Sequence, residues 1–302
     1  MDRGQELGDQ LSMSDSHSFE FLPEIEPDDH ASDAVSGHPR GRCFAFAGSE
    51  MLVLGTPDSP PRVPSWDDLR AWDITAIRYQ YLGTLDGEPC WSAELAHEAP
   101  VPDSATLSGL RTLYDVLPEP HYAIAGRAAQ IVAWDRDHQH CGRCGEPTER
   151  VPGERGRRCA SCDLSAYPRV SPAIIVLIER DDRILLARGR AFVPRRFGII
   201  AGFVEPGESL EDAVRREVHE EVGIDIDHID YFGSQPWPFP HGIMIGFRAT
   251  HLDGEITLGD GELAEAGWYG ADDLPEIPAK LSIARRLIDD WASRRGFVID
   301  QP

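Results

Sequence analysis

An α+β fold, assembled from successive parts around mixed sheet, is what this 302-residue sequence predicts. Three observations carry the prediction. Short apolar runs separated by turn residues fill residues 41–120 and return after residue 170, which is strand behaviour. Two Cys-x-x-Cys pairs, Cys141/Cys144 and Cys159/Cys162, interrupt the chain between those regions. Residues 209–223, set among the later strand runs, switch to the apolar period of a helix and carry start and stop signals at their ends.

The elements follow in order. Residues 1–40 hold ten acidic and two basic residues with little periodicity, so this acidic segment is expected to be partly disordered. An N-terminal α/β domain is expected over 41–136. There Cys43–Phe46, Met51–Leu54, Ile74–Leu85 and Trp91–Leu95 read as strands, and Gly126–Asp137 as a helix. No catalytic motif falls in it, which points to a structural use: dimer contact and one wall of a site. The cysteine pairs define a segment over 137–168, and a catalytic domain is expected over 169–302. In that domain Ala173–Ile178 and Ile184–Ala187 flank Asp181-Asp182 as a hairpin. Gly198–Val204 leads into the helix, Ile243–Thr250 and Glu255–Leu258 read as further strands, and Ser282–Trp291 as a closing amphipathic helix. No internal repeat is apparent.

The helix over 209–223 carries the chemistry. Ser209 with Asp212 three residues on is an N-cap pair, and Gly223 a C-terminal stop. Leu210, Ala213, Val214, Val218 and Val222 occupy one sector at about 100° per residue. Glu217 and Glu221 fall inside that sector and Glu220 flanks it. An acidic helix is ordinarily a solvated face. Here the carboxylates point the same way as the core residues, where unpaired charge is costly. Carboxylates converging at a partly buried position call for a cation, and hard oxygen ligands suit Mg²⁺ or Mn²⁺. Gly202 and Gly207 allow tight backbone geometry where strand hands over to helix.

Four thiolates at Cys141, Cys144, Cys159 and Cys162, with fourteen residues between the pairs, suit one tetrahedral zinc in a ribbon. The alternative is a pair of disulfides or a redox pair, which the absence of any secretion signal disfavours. A four-thiolate site leaves no open position, so its role reads as structural.

A third motif is Ser234-Gln235-Pro236-Trp237-Pro238-Phe239-Pro240. Alone it reads as a rigid loop or a proline-rich ligand segment. Prolines would hold it stiff while an aromatic ring offers a flat face to a nucleobase.

Together these residues resemble a known family. Gly202, Glu208 after five residues, Arg216-Glu217 after seven more, then Val218, Glu220-Glu221, Gly223 and Ile224 fill every defining position of the Nudix box. With a four-Cys ribbon ahead of it and the proline–aromatic motif ten residues behind, the chain resembles the NADH pyrophosphatase family of Nudix hydrolases over roughly residues 120 to 290. The resemblance implies a Nudix α/β/α sandwich with mixed sheet, preceded by the zinc ribbon and the N-terminal α/β domain. It implies metal-dependent hydrolysis of the pyrophosphate of NADH or NAD⁺ to nicotinamide mononucleotide and AMP, and removal of NAD caps from RNA 5′ ends. Glu217, Glu220 and Glu221 would hold the metal with Glu262 and the Ala201 carbonyl, while Arg216 orients Glu208. Tyr167, Glu154, Ala284, Arg111 and the motif from Gln235 to His241 and Gly242 would contact substrate. Phe203, beside Gly202, is a stacking candidate, although a buried core Phe is an equal reading. The family motif ends in Ser where this chain has Gly242, which leaves the preference among dinucleotides open. The family also implies a homodimer.

Composition sets the outer bounds. Lys plus Arg total 29 against 52 acidic residues, a net charge of −23, so general nucleic-acid binding is disfavoured. Arg143, Arg150, Arg155, Arg157 and Arg158 run against the trend; solvated surface is the reading for most of them, with a local rim steering a small anion or the 5′ end of an RNA as the alternative. No apolar stretch reaches the ~20 residues of a membrane span. With no signal peptide apparent, a cytoplasmic protein is expected, and the leftover Cys43 and Cys90 read as buried free thiols. Two rival readings stay open: a Nudix enzyme for ADP-ribose or dinucleoside polyphosphates, and a catalytically inert nucleotide sensor or zinc-ribbon interaction module.

Overall fold

The computed structural model describes residues 20–24, 38–55, 60–190, 196–259 and 261–301. Most of the acidic segment expected to be partly disordered lies outside these residues. The chain divides into two compact units, Met1–Ala128 with Pro152–Glu154, and Ala129–Val151 with Arg155–Pro302.

The first unit contains β1 (Phe21–Pro23), β2 (Arg42–Ala47), β3 (Glu50–Leu54), α1 (Trp66–Ala71), β4 (Ala76–Leu85), β5 (Glu88–Leu95), β6 (Ala105–Gly109) and the start of α2 (Glu119–Asp137). α2 begins seven residues earlier than the Gly126 expected from sequence. Its strands form one sheet in the order β1-β4-β5-β2-β3-β6, with β2 and β5 parallel and the other pairs antiparallel. Period-2 alternation turns Cys43, Ala45 and Ala47 of β2 toward Trp66 and Leu69 of α1. Cys43 and Cys90 are buried free thiols.

The second unit opens with the rest of α2 and continues into the ribbon, where β7 (Thr148–Arg150), β8 (Arg157–Cys159) and β9 (Ser165–Ala166) form a three-stranded antiparallel sheet. Then follow β10 (Ser171–Arg180), β11 (Arg183–Gly189), β12 (Ile200–Phe203), α3 (Leu210–Val222), β13 (Asp225–Trp237), β14 (Gly242–Asp253), β15 (Leu263–Tyr269) and α4 (Ile283–Ser293). The sheet order is β13-β14-β10-β11-β15, with β12 also paired to β10. β10 and β14 run parallel, so the sheet is mixed. Ile174, Val176 and Ile178 of β10 face Ala213, Val214, Val218 and Val222 of α3. Ile175 and Leu177 face Ile283, Leu287 and Trp291 of α4 on the other side. A sheet buried on both faces between two helices is an α/β/α sandwich. Val214, Val218 and Val222 are each fully buried, worth roughly 1.5–3 kcal/mol apiece.

Two strand assignments from sequence change. β13 is a 13-residue strand, and it draws Gln235, Pro236 and Trp237 out of the expected loop and into a hairpin with β14. Glu255–Leu258, expected as a strand, is irregular. Its backbone turns back on α3 instead: Thr257 N–H donates to Val222 O (2.9 Å) and Gly259 N–H to Glu221 O (3.2 Å). These carbonyls belong to the last turn of a helix, which lacks internal donors. Capping them outweighs the β-propensity of Ile256 and Thr257.

The two units share one connectivity. In each, a hairpin (β2–β3, β10–β11) is followed by a Ser-capped helix, a second antiparallel pair (β4–β5, β13–β14), a strand antiparallel to the second hairpin strand (β6, β15) and a closing helix (α2, α4). Each places its one parallel pair between the same two members, β2 with β5 and β10 with β14. Two isolated bridges also correspond, Leu54 to Arg62 and Ala187 to Gly198. The architecture is doubled although the sequence shows no repeat. The helices differ: α1 has six residues and α3 thirteen. Counting from the caps Ser65 and Ser209, the position of Glu217 falls on Asp73, beyond the end of α1.

Candidate active site

The site is assembled where α3 lies against the end of β12. Ser209 caps the helix, its Oγ accepting from Asp212 N–H at 3.2 Å, and Gly223 ends it in the left-handed region (φ 70°), a conformation that glycine adopts without a Cβ penalty. Glu221 lies three residues beyond Val218 and seven beyond Val214, on the buried stripe, and only 7% of it is exposed. Glu217 is half-buried and Glu220 exposed. Gly202 explains how Glu217 fits. A Cβ at residue 202 would stand 1.9 Å from the Glu217 carboxyl carbon, so the carboxylate rests directly on the β12 backbone at Gly202.

Arg216 organises the acidic groups. It donates Nε–H and Nη2–H to the two oxygens of Glu208 at 2.5 and 2.9 Å. Its Nη1–H reaches Glu217 (2.8 Å) and Glu220 (3.1 Å), and Nη2–H also reaches Phe203 O (2.9 Å). This bidentate pair, with a second donor from Glu205 N–H at 2.9 Å, holds the Glu208 carboxyl down to about 2. Loop, strand end and helix are thereby tied through one guanidinium. Hard carboxylate oxygens at a partly buried position fit a divalent cation such as Mg²⁺ or Mn²⁺. They are not gathered into a closed cage. Among the described residues, the cysteine quartet is the one set of three or more ligand atoms mutually within 4.8 Å. Arg216 lies between Glu208, Glu217 and Glu220 and keeps like charges apart. Glu262 sits exposed just before β15, its carbonyl accepting from Arg190 N–H (2.9 Å).

Strand register brings a second feature to the same place. Phe203 of β12 pairs with Ala173 on one side of β10, and Gly242 of β14 pairs with Ser171 on the other. With strands about 4.8 Å apart, the proline–aromatic hairpin stands about 10 Å across the sheet from the end of β12, on which Glu217 rests. Trp237 and Phe239 meet edge to face at 5.1 Å, and His241 Nδ1 lies 3.2 Å from Ser171 Oγ. Phe203 is 65% exposed, so of its two readings the buried core Phe falls away. Gln235 bonds the backbone at the start of α4, beside the buried Ala284.

In the ribbon, Sγ–Sγ separations of 3.5 Å (Cys141–Cys162 and Cys144–Cys159) and 3.6 Å (Cys144–Cys162) match the ~3.8 Å edge of a tetrahedron with Zn–S of about 2.3 Å. Backbone N–H groups of Arg143 and Cys144 hold the Cys141 thiol down to about 6. The donors fit zinc. Tyr167 is exposed against Gly156, where a Cβ would meet its ring at 2.9 Å. Arg111 and Glu154 are exposed residues of the first unit.

One of the five arginines read mostly as surface is buried. Arg157 is buried, donating to Asp135 (2.7 Å), Thr148 Oγ1 (2.8 Å) and Thr148 O (2.7 Å), while Arg150 reaches the same Asp135 at 3.3 Å. This network fastens the ribbon to the end of α2. Sequence gave no signal for it beyond an arginine alternating with a cysteine on β8.

A carboxylate helix of this kind, laid on a mixed sheet covered by a second helix, places the chain in the class of Nudix hydrolases. Comparison with known proteins agrees: residues 168–291 match the NUDIX domain family, 136–167 the NADH pyrophosphatase zinc ribbon domain, and 40–134 the NADH pyrophosphatase-like rudimentary NUDIX domain. The last accounts for the doubled connectivity. The chain belongs to the NADH pyrophosphatase family of Nudix hydrolases. A protein of Deinococcus radiodurans named NAD-capped RNA hydrolase NudC is 48% identical over 274 residues, covering 89% of this chain and 94% of that one. One of the same name from Pseudomonas fluorescens strain Pf0-1 is 46% identical over 273 residues, covering 90% and 93%. No helix among the described residues is long and apolar enough to cross a membrane.

Proposed function

We propose that this chain is a Mg²⁺- or Mn²⁺-dependent pyrophosphatase that splits NADH or NAD⁺ into nicotinamide mononucleotide and AMP, and that it removes NAD caps from RNA 5′ ends as its relatives' name describes. The observation that carries the reading is the contact of Glu217 with Gly202, braced by the Arg216–Glu208 pair, at the same end of β10 as the aromatic hairpin.

Glu217, Glu220 and Glu221 would hold the cations, with Glu262 and the Ala201 carbonyl completing the donors. When bound, such ions stabilise charge on the phosphoryl oxygens and ease deprotonation of the attacking water. Arg216 and Glu208 hold the carboxylate helix against β12. Phe203, Trp237 and Phe239 offer ring faces to a base. Pro238 and Pro240 fix the hairpin tip and Pro236 the strand leading to it, and His241, Gly242 and Ala284 are proposed to contact the substrate. Tyr167, Glu154 and Arg111 are proposed as further substrate contacts. The arrangement is proposed to work as a homodimer in the cytoplasm, in keeping with thiols that remain unpaired.

A turnover panel tests this. NADH, NAD⁺ and an NAD-capped oligonucleotide are expected to be cleaved with Mg²⁺ or Mn²⁺ and not after EDTA treatment. Preference for ADP-ribose or diadenosine polyphosphate by more than tenfold in kcat/KM would move the assignment to the first rival. Binding without turnover of any of them would establish the inert sensor.

A further inference from the structure

Both polar ends of the Gln235 side chain are engaged by main chain. Nε2–H donates to Leu281 O at 2.7 Å, and Oε1 accepts from Ile283 N–H at 2.7 Å. Ile283 is the first residue of α4, where backbone N–H groups have no partner within the helix. The cap residue Ser282 serves a different donor, its Oγ accepting from Arg285 N–H at 3.3 Å. Ile283 is 1% exposed, so its N–H is out of reach of water and depends on Gln235. Its side chain fits because the facing strand has no Cβ at Gly246, where one would stand 2.9 Å from Ile283 Cδ1.

On its other side the same helical turn is anchored by Arg285. This fully buried residue donates to Asp289 (2.8 Å), Pro278 O (3.4 Å), Ile299 O (3.4 Å) and Gln301 O (2.6 Å). Gln235 therefore fastens the start of α4 to the strand that carries Pro236 and Trp237. Ala284, next after Ile283, is held at a fixed distance from the aromatic hairpin.

We infer that Gln235 is a positioning residue: by tying the start of α4 to β13 it sets where the Ala284 turn stands relative to the Trp237–Phe239 hairpin, and it does not itself choose the base. The inference rests on the function proposed above, since the hairpin and Ala284 are the parts assigned there to the base.

The test uses the full chain with Gln235→Met, which keeps length and removes both bonds, and Gln235→Glu, which keeps the acceptor for Ile283. Amide exchange at Ile283 and Ala284 is expected to quicken at least tenfold in Gln235→Met and much less in Gln235→Glu, while α3 amides stay as in the parent. KM is expected to rise by one shared factor, about tenfold for two neutral hydrogen bonds, across NAD⁺, NADH, nicotinic acid adenine dinucleotide and ADP-ribose, with kcat within about twofold. A change of more than threefold in the NAD⁺ to nicotinic acid adenine dinucleotide preference, with α4 exchange unaltered, would overturn the inference and make Gln235 a reader of the carboxamide. If the parent chain cleaves none of the four, the proposed function fails, and the exchange measurement still decides whether the clamp exists.

Discussion

Gly202→Ala is the sharpest probe of the site, because it adds one methyl group at a position where the displaced atoms are identified. The new Cβ would lie 1.9, 2.1 and 2.2 Å from the carbon and oxygens of the Glu217 carboxyl. Ordinary contact begins near 3.4 Å, so the carboxylate must retreat by about 1.5 Å. Backbone strain is not the issue, since Gly202 does not occupy the left-handed region. Glu217 is the free end of a flexible side chain and can swing away, so the fold should survive with a change in Tm of a few degrees. Its 2.8 Å bond from Arg216 and its seat on the backbone at Gly202 cannot survive a shift of that size. A misplacement of about 1 Å costs on the order of 100-fold in rate. Steady-state hydrolysis of NADH at saturating Mn²⁺ is therefore expected to show kcat lower by about 100-fold or more. Thermal unfolding should remain a single transition near that of the parent. A fully active Gly202→Ala variant would refute the claim that Glu217 works from the β12 backbone.

Further outcomes follow from other parts of the molecule. Glu221→Gln is expected to abolish turnover while leaving one zinc per chain and the same circular dichroism; measurable NADH cleavage would count against its place among the ligands. Cys159→Ser should release zinc, read as loss of the single equivalent by elemental analysis, and retained metal would show that four thiolates are not needed. Glu208 gives a pH test. Its folded value near 2 lies below the 4.5 of an ordinary carboxyl, so its pairing stabilises fully above pH 4.5 and fades as pH falls toward 2. The stability gap between parent and Glu208→Gln, measured by urea titration, should shrink over that window; a gap independent of pH would rule out the ion pair as its source.

How much of this was readable beforehand depended on whether local signals and tertiary demands agreed. α3 was legible to the residue, because Ser209 and Gly223 are local signals and Val214, Val218 and Val222 repeat on one face. The inward set of Glu221 followed from the same spacing. β13 was not legible. Its register slips at three places along the pairing with β14, and Pro236 breaks the donor pattern, so no clean alternation survives. Glu255–Leu258 had strand composition but serves the last turn of α3, a demand that lies elsewhere in the sequence. Gln235 stood inside a recognisable motif, yet its partners Leu281 and Ile283 are more than forty residues away. The burial of Arg157 is likewise invisible without Asp135. The doubled architecture leaves no trace in residue identities, because what repeats is strand order and direction.

The short α1 helix has a consequence for where catalysis resides. Of two copies of one scaffold, the first retains the parallel core pair, the Ser cap and the closing helix, and has neither the Val204–Glu208 stretch nor the last two turns of its helix. What the second unit has beyond the first is thus a short stretch, the loop ahead of the helix and the second half of the helix, and that stretch carries Glu208, Arg216, Glu217, Glu220 and Glu221.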